Sequence, residues 1–395
     1  MKRNSFLLIA LLTFGISLTS CSIFNNSNAN NHRSTSGKSN NQSTVVEDGT
    51  FIYNGSSVKA LNKDISGDLV IPETYNGVSI TTIPEGAFSN CSKIKSIVLP
   101  NTITSIAQGA FAGCITLESI TVPYVGLTPD KTKDGGHFGQ IFGTSSYTGG
   151  TKVESYYGKY DSHYYYIPSS LRKVTVTDAT TLVYGAFQNV SMLTEINLND
   201  DIIAIGSFAF AGLNQIKTMN LPSIYTLPSS AFDGCTKLTN FVIGKNMTKI
   251  EENAFNGCMN LLTINSELEG EFVIPENVNE IYDGAFKNCL HVTKITLPFI
   301  GNSDSKTSDG GHFGRIFGTS SYTGSTKVES YYGKYDSHYY YIPSGLREVT
   351  ITNATHVVYG AFQNVSMITS LRINSAAQNS IGTDAFKNCV EPVWF

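Results

Sequence analysis

The stretch Ile83-Pro-Glu-Gly-Ala-Phe-Ser-Asn-Cys-Ser-Lys-Ile-Lys-Ser-Ile-Val-Leu-Pro100 contains the unit that decides the fold. Its central Ala-Phe dipeptide occurs nine times in the chain, with the phenylalanine at Phe88, Phe111, Phe187, Phe210, Phe232, Phe255, Phe286, Phe362 and Phe386. Five of the eight steps between these phenylalanines measure 22–24 residues, which is the period of stacked repeats. A chain of 395 residues would otherwise be expected to form about two or three globular domains, but the repeat predicts one array of stacked units instead.

The positions around each phenylalanine predict one short strand and one turn per repeat. An isoleucine, leucine or valine stands five residues before each of them, and apolar pairs such as Ile97 and Leu99 follow nine and eleven residues later. A spacing of two places both side chains on one face of a strand, which Pro100 then ends. We expect the Ala-Phe segment to form a tight helical turn. Because no repeat can bury its apolar face alone, the repeats are expected to stack.

This pattern resembles the BspA-like leucine-rich repeat family of bacterial surface proteins, over roughly residues 50–395. The resemblance implies a β-rich α/β solenoid, a right-handed leucine-rich repeat coil with short helical turns. It also implies an N-terminal β-hairpin cap, placed at residues 49–80, before a solenoid at residues 81–395. The family implies a role in adhesion or recognition without implying a particular ligand.

The N-terminal residues have the pattern of a bacterial export signal. Basic Lys2 and Arg3 precede an apolar stretch at residues 6–18, which is shorter than the ~20 helical residues that span a bilayer. Leu18-Thr19-Ser20-Cys21 follows and resembles a lipobox, in which the cysteine thiol receives a diacylglyceryl group and becomes the new N-terminus. The alternative is an ordinary secretory signal with a chance cysteine.

These features predict a signal peptide over residues 1–20 and lipidation of Cys21. Residues 21–48 are rich in Asn and Ser, a composition that stays solvated, and they are expected to form a tether. We therefore expect a protein that is anchored through its lipid to the extracellular face of a bacterial cell.

A duplication interrupts the regular period. Residues 124–197 match residues 299–372 at an offset of 175, and each block is predicted to contain one extra repeat, with Phe138 and Ile141 in the Phe and Cys positions. Each block also carries one large excursion, at about residues 143–167 and 318–342. We expect the excursions to leave the same edge of the coil, eight repeat steps or roughly 40 Å apart. We also expect the rest of the chain to fold without them.

Tyrosines crowd both excursions. Tyrosine has a rigid apolar ring with a polar tip and is favoured at interfaces and against sugar rings. The candidate ligand-binding residues are Tyr156, Tyr157, Tyr160, Tyr164, Tyr165, Tyr331, Tyr332, Tyr335, Tyr339 and Tyr340. The alternative is a β-hairpin whose alternating tyrosines only cover the flank of the repeats.

Charge and side-chain chemistry exclude several other functions. With 27 basic against 31 acidic residues the chain lacks the excess charge of a nucleic-acid binder. The six cysteines beyond Cys21 share one repeat position and are expected to be free, buried thiols, although disulfides are the alternative. No Cys-x-x-Cys is present, and His137 and His163 lack a convincing third metal ligand beside their neighbouring aspartates. We predict no metal, no cofactor and no catalytic residue.

The sequence as a whole favours a cell-surface lipoprotein that acts as a binding or adhesion module and is not an enzyme. Its expected partner is a macromolecule of a host or neighbouring cell, either a protein or a glycan, and its only membrane contact is the lipid. The alternatives are a carbohydrate-binding surface protein and, with less support, an exported enzyme.

Overall fold

The structure is a computed structural model that describes residues 45–129, 134–158, 161–304, 309–333 and 335–395. The predicted signal peptide, Cys21, Tyr160 and most of the predicted tether lie outside the described residues. The first strand begins at Val45, inside the last residues of the range assigned to the tether. All described residues belong to one compact unit, Ser43–Phe395.

Strands account for nearly all of the regular structure, and most are two to four residues long. In chain order they are β1 Val45–Glu47, β2 Phe51–Asn54, β3 Ser57–Ala60, β4 Ser66–Val70, β5 Thr74–Tyr75, β6 Val78–Ser79, β7 Thr82–Ile83, β8 Lys93–Val98, β9 Ser105–Ile106, β10 Ser119–Val122, β11 Gly150–Tyr156, β12 Ser162–Pro168, β13 Lys173–Val176, β14 Thr181–Leu182, β15 Glu195–Asn197, β16 Ala204–Ile205, β17 Thr226–Leu227, β18 Asn240–Phe241, β19 Lys249–Ile250, β20 Thr263–Ile264, β21 Glu271–Val273, β22 Glu280–Ile281, β23 Lys294–Leu297, β24 Ser325–Tyr331, β25 Ser337–Pro343, β26 Glu348–Ile351, β27 Ser370–Ile373 and β28 Val393–Trp394.

Helices are few and short. Within the described ranges they are all 3₁₀ helices, namely Asp134–Gly136, Phe138–Phe142, Asp309–Gly311, Phe313–Phe317 and Ser375–Asn379. The described residues therefore contain no α-helix, and the fold is a leucine-rich repeat of short parallel strands rather than an α/β coil.

The predicted repeat strands form a parallel ladder in two sheets. Their orders are β15-β13-β10-β8-β4 and β18-β20-β21-β23-β26-β27-β28. Apolar side chains stay in register from strand to strand. Ile97 pairs with Ile120, Ile120 pairs with Val174, and Val174 pairs with Ile196. All four are buried, because alternate residues of a strand face the core.

The apolar residue five positions before each phenylalanine forms a second, shorter ladder. It pairs β7 with β9, β14 with β16, β17 with β19, and β19 with β22, all in parallel. At its N-terminal end β1, β2 and β3 pair antiparallel, and β3 pairs in parallel with β7. The described part of the chain thus begins with antiparallel strands that join the shorter ladder.

The Ala-Phe segments are turns, which corrects the prediction of helical turns there. In all nine repeats the residues two before and two after the phenylalanine have positive φ, as at Gly86 (+64°) and Asn90 (+60°) in the first. This left-handed conformation suits glycine and asparagine and interrupts a helix at both ends of the segment. The phenylalanine N–H bonds instead to the next repeat, as from Phe210 to the carbonyl of Ala231 at 3.0 Å.

Neighbouring phenylalanine rings stack along this ladder of turns. Ring centroids lie 5.4 Å apart for Phe210 and Phe232 and 5.7 Å apart for Phe232 and Phe255, with near-parallel planes. These side chains are fully buried. Side-chain stacking and backbone hydrogen bonds therefore connect the same pairs of repeats.

The repeated cysteines are free, as expected, and five of them are buried, whereas Cys389 is half-buried. Buried thiols of this set also donate hydrogen bonds. The thiol of Cys235 donates to the carbonyl of Phe210 in the preceding repeat at 3.1 Å, and Cys258 donates likewise to Phe232 at 3.2 Å. Burial raises the pKa of the Cys235 thiol to about 12, so it stays protonated and able to donate. The position thus suits a small side chain with a weak donor.

Each duplicated block does contain an extra layer, which uses two phenylalanines. Phe111 donates its N–H to the carbonyl of Ile141, which precedes Phe142, whereas Phe138 donates to Ala186 in the following repeat. The 3₁₀ helix Phe138–Phe142 therefore contacts the preceding repeat through one end and the next repeat through the other.

Candidate functional site

The two tyrosine-rich excursions are antiparallel β-hairpins outside the repeat ladders. In the first hairpin β11 pairs with β12, with Val153 opposite Tyr165 and Glu154 opposite Tyr164. The second hairpin, β24 with β25, has the same register. Because side chains alternate along a strand, each hairpin has an inward face and an outward face.

The inward face of the first hairpin is part of the core. Tyr165 is fully buried, and its hydroxyl lies 3.4 Å from Nδ1 of His137 and 3.1 Å from Nε2 of Gln140. Nε2 of His137 lies 3.1 Å from the carbonyl of Tyr184, so this nitrogen is the donor. A Cβ on Gly139 would lie 2.4 Å from the Tyr165 ring, which explains the glycine.

The second hairpin repeats this arrangement with one change beneath it. His312 contacts the hydroxyl of the fully buried Tyr340 at 3.2 Å and the carbonyl of Tyr359 at 3.0 Å. Arg315 takes the place of Gln140, and its Nε donates to Asp283 at 2.8 Å. Tyr165 and Tyr340, both expected to contact a ligand, thus lie in the core and present no surface to a partner.

Both edges of the first hairpin are hydrogen-bonded to residues outside its two strands. The N–H of Tyr156 donates to the side chain of Gln188 at 2.9 Å, and the side chain of Asn189 donates to the carbonyl of Glu154 at 2.7 Å. On the other edge Tyr166 donates its N–H to Gly143 at 3.0 Å. These bonds and the buried Tyr165 argue against the expectation that the repeats would fold without the hairpin.

The outward face of the first hairpin presents Lys152, Glu154, Tyr156, Ser162 and Tyr164. Ser162 donates its hydroxyl to Glu154 at 2.8 Å, and Nζ of Lys152 lies 3.7 Å from the centroid of the Tyr164 ring. The Ser162 hydroxyl, followed by those of Tyr164 and Tyr156, holds the pKa of Glu154 below its usual value. The Tyr164 side chain, 44% exposed, is therefore held in place at the surface.

The outward face of the second hairpin has the same contacts. Ser337 donates to Glu329 at 2.9 Å, and Nζ of Lys327 lies 3.6 Å from the centroid of Tyr339, which is also 44% exposed. Near the tip Tyr335 is 81% exposed. Of the ten candidate tyrosines, those partly or largely exposed in the structure are Tyr156, Tyr157, Tyr164, Tyr331, Tyr332, Tyr335 and Tyr339.

Two of these tyrosines pack on histidines at the hairpin tips. The rings of Tyr157 and His163 are 5.0 Å apart, and those of Tyr332 and His338 are 4.9 Å apart. His163, which was considered from the sequence as a metal ligand, thus forms an aromatic contact, as does its counterpart His338. Within the described residues no group of three His, Cys, Asp or Glu side chains is arranged to hold a metal ion.

The two hairpins are nearly identical, whereas the repeat that follows each has diverged. Residues 143–168 differ from residues 318–343 at one position, where Gly150 stands in place of Ser325. The next 29 residues, 169–197 against 344–372, differ at ten positions. Three of these differences are on the outward face of the main ladder, at Lys173/Glu348, Glu195/Ser370 and Asn197/Arg372. The hairpins, and not the strand face, are therefore the surface that occurs twice.

Six inter-repeat hydrogen bonds separate the layers that carry the hairpins. The donor N–H groups belong to Phe138, Phe187, Phe210, Phe232, Phe255 and Phe286, and the acceptor of the last is Ile316. At ~4.8 Å per layer this separation is about 29 Å. The expected eight steps and roughly 40 Å are thus too large, because only six repeat steps lead from Phe138 to Phe313.

Comparison with known proteins identifies the repeat. The profile described as "BspA type Leucine rich repeat region" matches six copies, over residues 70–128, 160–269 and 270–391. Comparison with curated protein sequences finds no match. Within the described residues no helix has the length and hydrophobicity needed to span a membrane.

Several solved structures are similar to this chain at low identity. A leucine-rich repeat protein from Bacteroides ovatus is 19% identical over 89% of this chain and 79% of its own, with a TM-score of 0.39. A leucine rich cell surface protein from Faecalibacterium prausnitzii is 17% identical over 89% of this chain and 94% of its own, with a TM-score of 0.30. The pneumococcal vaccine antigen PcpA is 14% identical over 86% of this chain and 98% of its own, with a TM-score of 0.33. Since the profile of the BspA-type repeat matches well over half of the residues of the present chain, this chain belongs to the BspA-type leucine-rich repeat family.

Proposed function

We propose that the protein is a bacterial cell-surface lipoprotein that binds a macromolecule of a host or neighbouring cell through its two tyrosine hairpins. The observation that carries this proposal is the near identity of the hairpins beside repeats that have diverged. Packing explains why Tyr165 and Tyr340 recur, since both are buried. It does not explain why the exposed Tyr164 and Tyr339 recur, and binding does.

Membership of a family of generally non-catalytic binding proteins supports binding over catalysis. We infer that the parallel ladders continue as a right-handed solenoid, which would keep both hairpins on one side. An exposed aromatic ring with a polar tip suits an interface, because it supplies contact area at little cost in conformational entropy.

The binding role is tested with the double substitution Tyr164→Ala/Tyr339→Ala, which removes exposed rings and leaves the buried face intact. The immobilised protein is exposed to surface extracts of candidate partner cells, and retained proteins and glycans are compared with those retained by the wild type. The control is Tyr225→Ala, since Tyr225 is 63% exposed and lies outside both hairpins. Equal retention by wild type and double variant would refute the role of the hairpins.

Anchoring through Cys21 is a separate part of the proposal. One acyl chain gives only marginal membrane binding, with ~0.8 kcal/mol per buried CH₂, so a diacylated cysteine would be needed for stable attachment. Cys21→Ala should leave the precursor uncleaved or release the protein from the detergent phase, whereas Ser20→Ala keeps a small residue and should not. Normal processing and partitioning of Cys21→Ala would show that the signal is an ordinary secretory one.

A further inference from the structure

We propose, on the basis of the binding role above, that the two outward hairpin faces are identical subsites for one neutral polysaccharide chain. Each subsite consists of the Lys, Glu, Tyr, Ser and Tyr side chains of the outward face, which are Lys152, Glu154, Tyr156, Ser162 and Tyr164 in the first and Lys327, Glu329, Tyr331, Ser337 and Tyr339 in the second.

The chemistry of the face matches a sugar. A pyranose ring has an apolar C–H surface that packs on an aromatic ring and hydroxyls that both donate and accept hydrogen bonds. Tyr164 supplies the exposed ring, and the hydroxyls of Tyr156 and Ser162 surround the carboxylate of Glu154. The charges of Lys152 and Glu154 cancel. The face therefore has no net charge that would favour a polyanion or a polycation, and it suits a neutral polymer.

The face is ordered before any ligand arrives. Lys152 lies over one side of the Tyr164 ring, and the Glu154 side chain accepts the Ser162 hydroxyl at 2.8 Å. The backbone beneath is held by Gln188 and Asn189. Side chains that are already fixed lose little conformational entropy on binding, which matters for a ligand that makes few strong contacts.

The duplication indicates a partner that repeats along a line. Two equal subsites about 29 Å apart on one ladder can be occupied together only by a partner that presents the same group again at that distance. A polysaccharide has this property by its chemistry, since each unit repeats the one before. Linking two weak sites in this way raises avidity by about 10²–10⁴-fold without any new contact.

The test measures binding of the purified full-length protein to a panel of neutral polysaccharides, namely α-glucan, β-glucan, xylan and mannan. For the polymer that binds, the trisaccharide of the same linkage is measured as well, because it is too short to reach both hairpins. The variants are Tyr164→Ala, Tyr339→Ala and the double substitution, with Tyr225→Ala as the matched control.

We expect each single substitution to weaken binding of the polymer by about 10²–10⁴-fold and the double substitution to abolish it. The wild type should bind two trisaccharides per protein molecule, and each single variant should bind one. Absence of binding to every polymer, or equal weakening by Tyr225→Ala, would overturn the proposal. A polymer that binds no tighter than its trisaccharide would overturn the joint occupation of the two hairpins.

The outcome also separates this proposal from the broader one. If no polysaccharide binds but Tyr164→Ala/Tyr339→Ala still loses a protein retained by the wild type, the hairpins bind a protein and the polysaccharide proposal fails. If neither test distinguishes wild type from the double variant, the binding role of the hairpins fails as well.

Discussion

Replacing Phe210 by alanine tests whether the ladder of phenylalanine rings holds neighbouring repeats together. The Phe210 side chain is fully buried, and its ring stacks on Phe187 at 6.1 Å and on Phe232 at 5.4 Å. Its N–H donates to Ala231, a bond that the substitution leaves in place. Phe210→Ala therefore removes side-chain packing alone.

The expected loss follows from this environment. Truncation of a buried phenylalanine to alanine costs about 3–5 kcal/mol through lost burial and the cavity left behind. Each aromatic pair adds ~0.5–1.5 kcal/mol beyond area burial, and Phe210 belongs to two such pairs. We therefore expect a loss near the upper end of that range.

The loss should also be local, because each repeat contacts only its neighbours. Hydrogen exchange followed by mass spectrometry should show the first loss of protection in the repeats of Phe187 and Phe232, and unchanged protection around Phe88. Tyr225→Ala serves as the exposed control. An even rise in exchange along the whole chain, or a loss within the ~0.5 kcal/mol typical of surface substitutions, would refute the reasoning.

Two further predictions concern the buried Tyr165 of the first hairpin and the cysteine thiols. Tyr165→Phe should cost about 0.5–1.5 kcal/mol of unfolding free energy per lost hydrogen bond, because its buried hydroxyl contacts both His137 and Gln140, and an unchanged thermal midpoint would contradict those bonds. The second prediction concerns the reaction of the thiols with an alkylating agent. Burial raises the pKa of Cys235 to about 12 and that of Cys389 to about 11, so both thiols stay protonated at neutral pH. With rising pH the half-buried Cys389 should react first, as read by peptide mass mapping, and earlier labelling of Cys235 would show that its repeat opens.

The repeat and its core could be predicted from the sequence because burial imposes a strict period. The isoleucine of each strand and the phenylalanine of each turn fall at fixed offsets, and Ile97 and Phe88 are buried as that pattern requires. The turn conformation was predicted wrongly as helical. Its signal was present, since glycine or asparagine stands at most positions two before and two after the phenylalanine, where φ is positive.

The candidate site could be predicted in part. The sequence identifies the excursions and their tyrosines, but the list of candidate ligand-binding residues includes both Tyr164 and Tyr165, although neighbours in a strand point to opposite faces. The alternation predicts one of the two inside, and the structure buries Tyr165. The attachment of the hairpin to Gln188 and Asn189 has no sequence signal, because it joins residues more than 30 positions apart through single side-chain bonds.

The thiol-to-carbonyl bonds between repeats have a consequence for how the protein matures. Cys114, Cys235, Cys258 and Cys289 each donate to a phenylalanine carbonyl of the preceding repeat, and no disulfide joins the cysteines of the described residues. A protein stabilised in this way needs no thiol oxidase or disulfide isomerase to reach its folded state. Because no disulfide has to form or persist among the described cysteines, we expect its stability to be the same under reducing and mildly oxidising conditions.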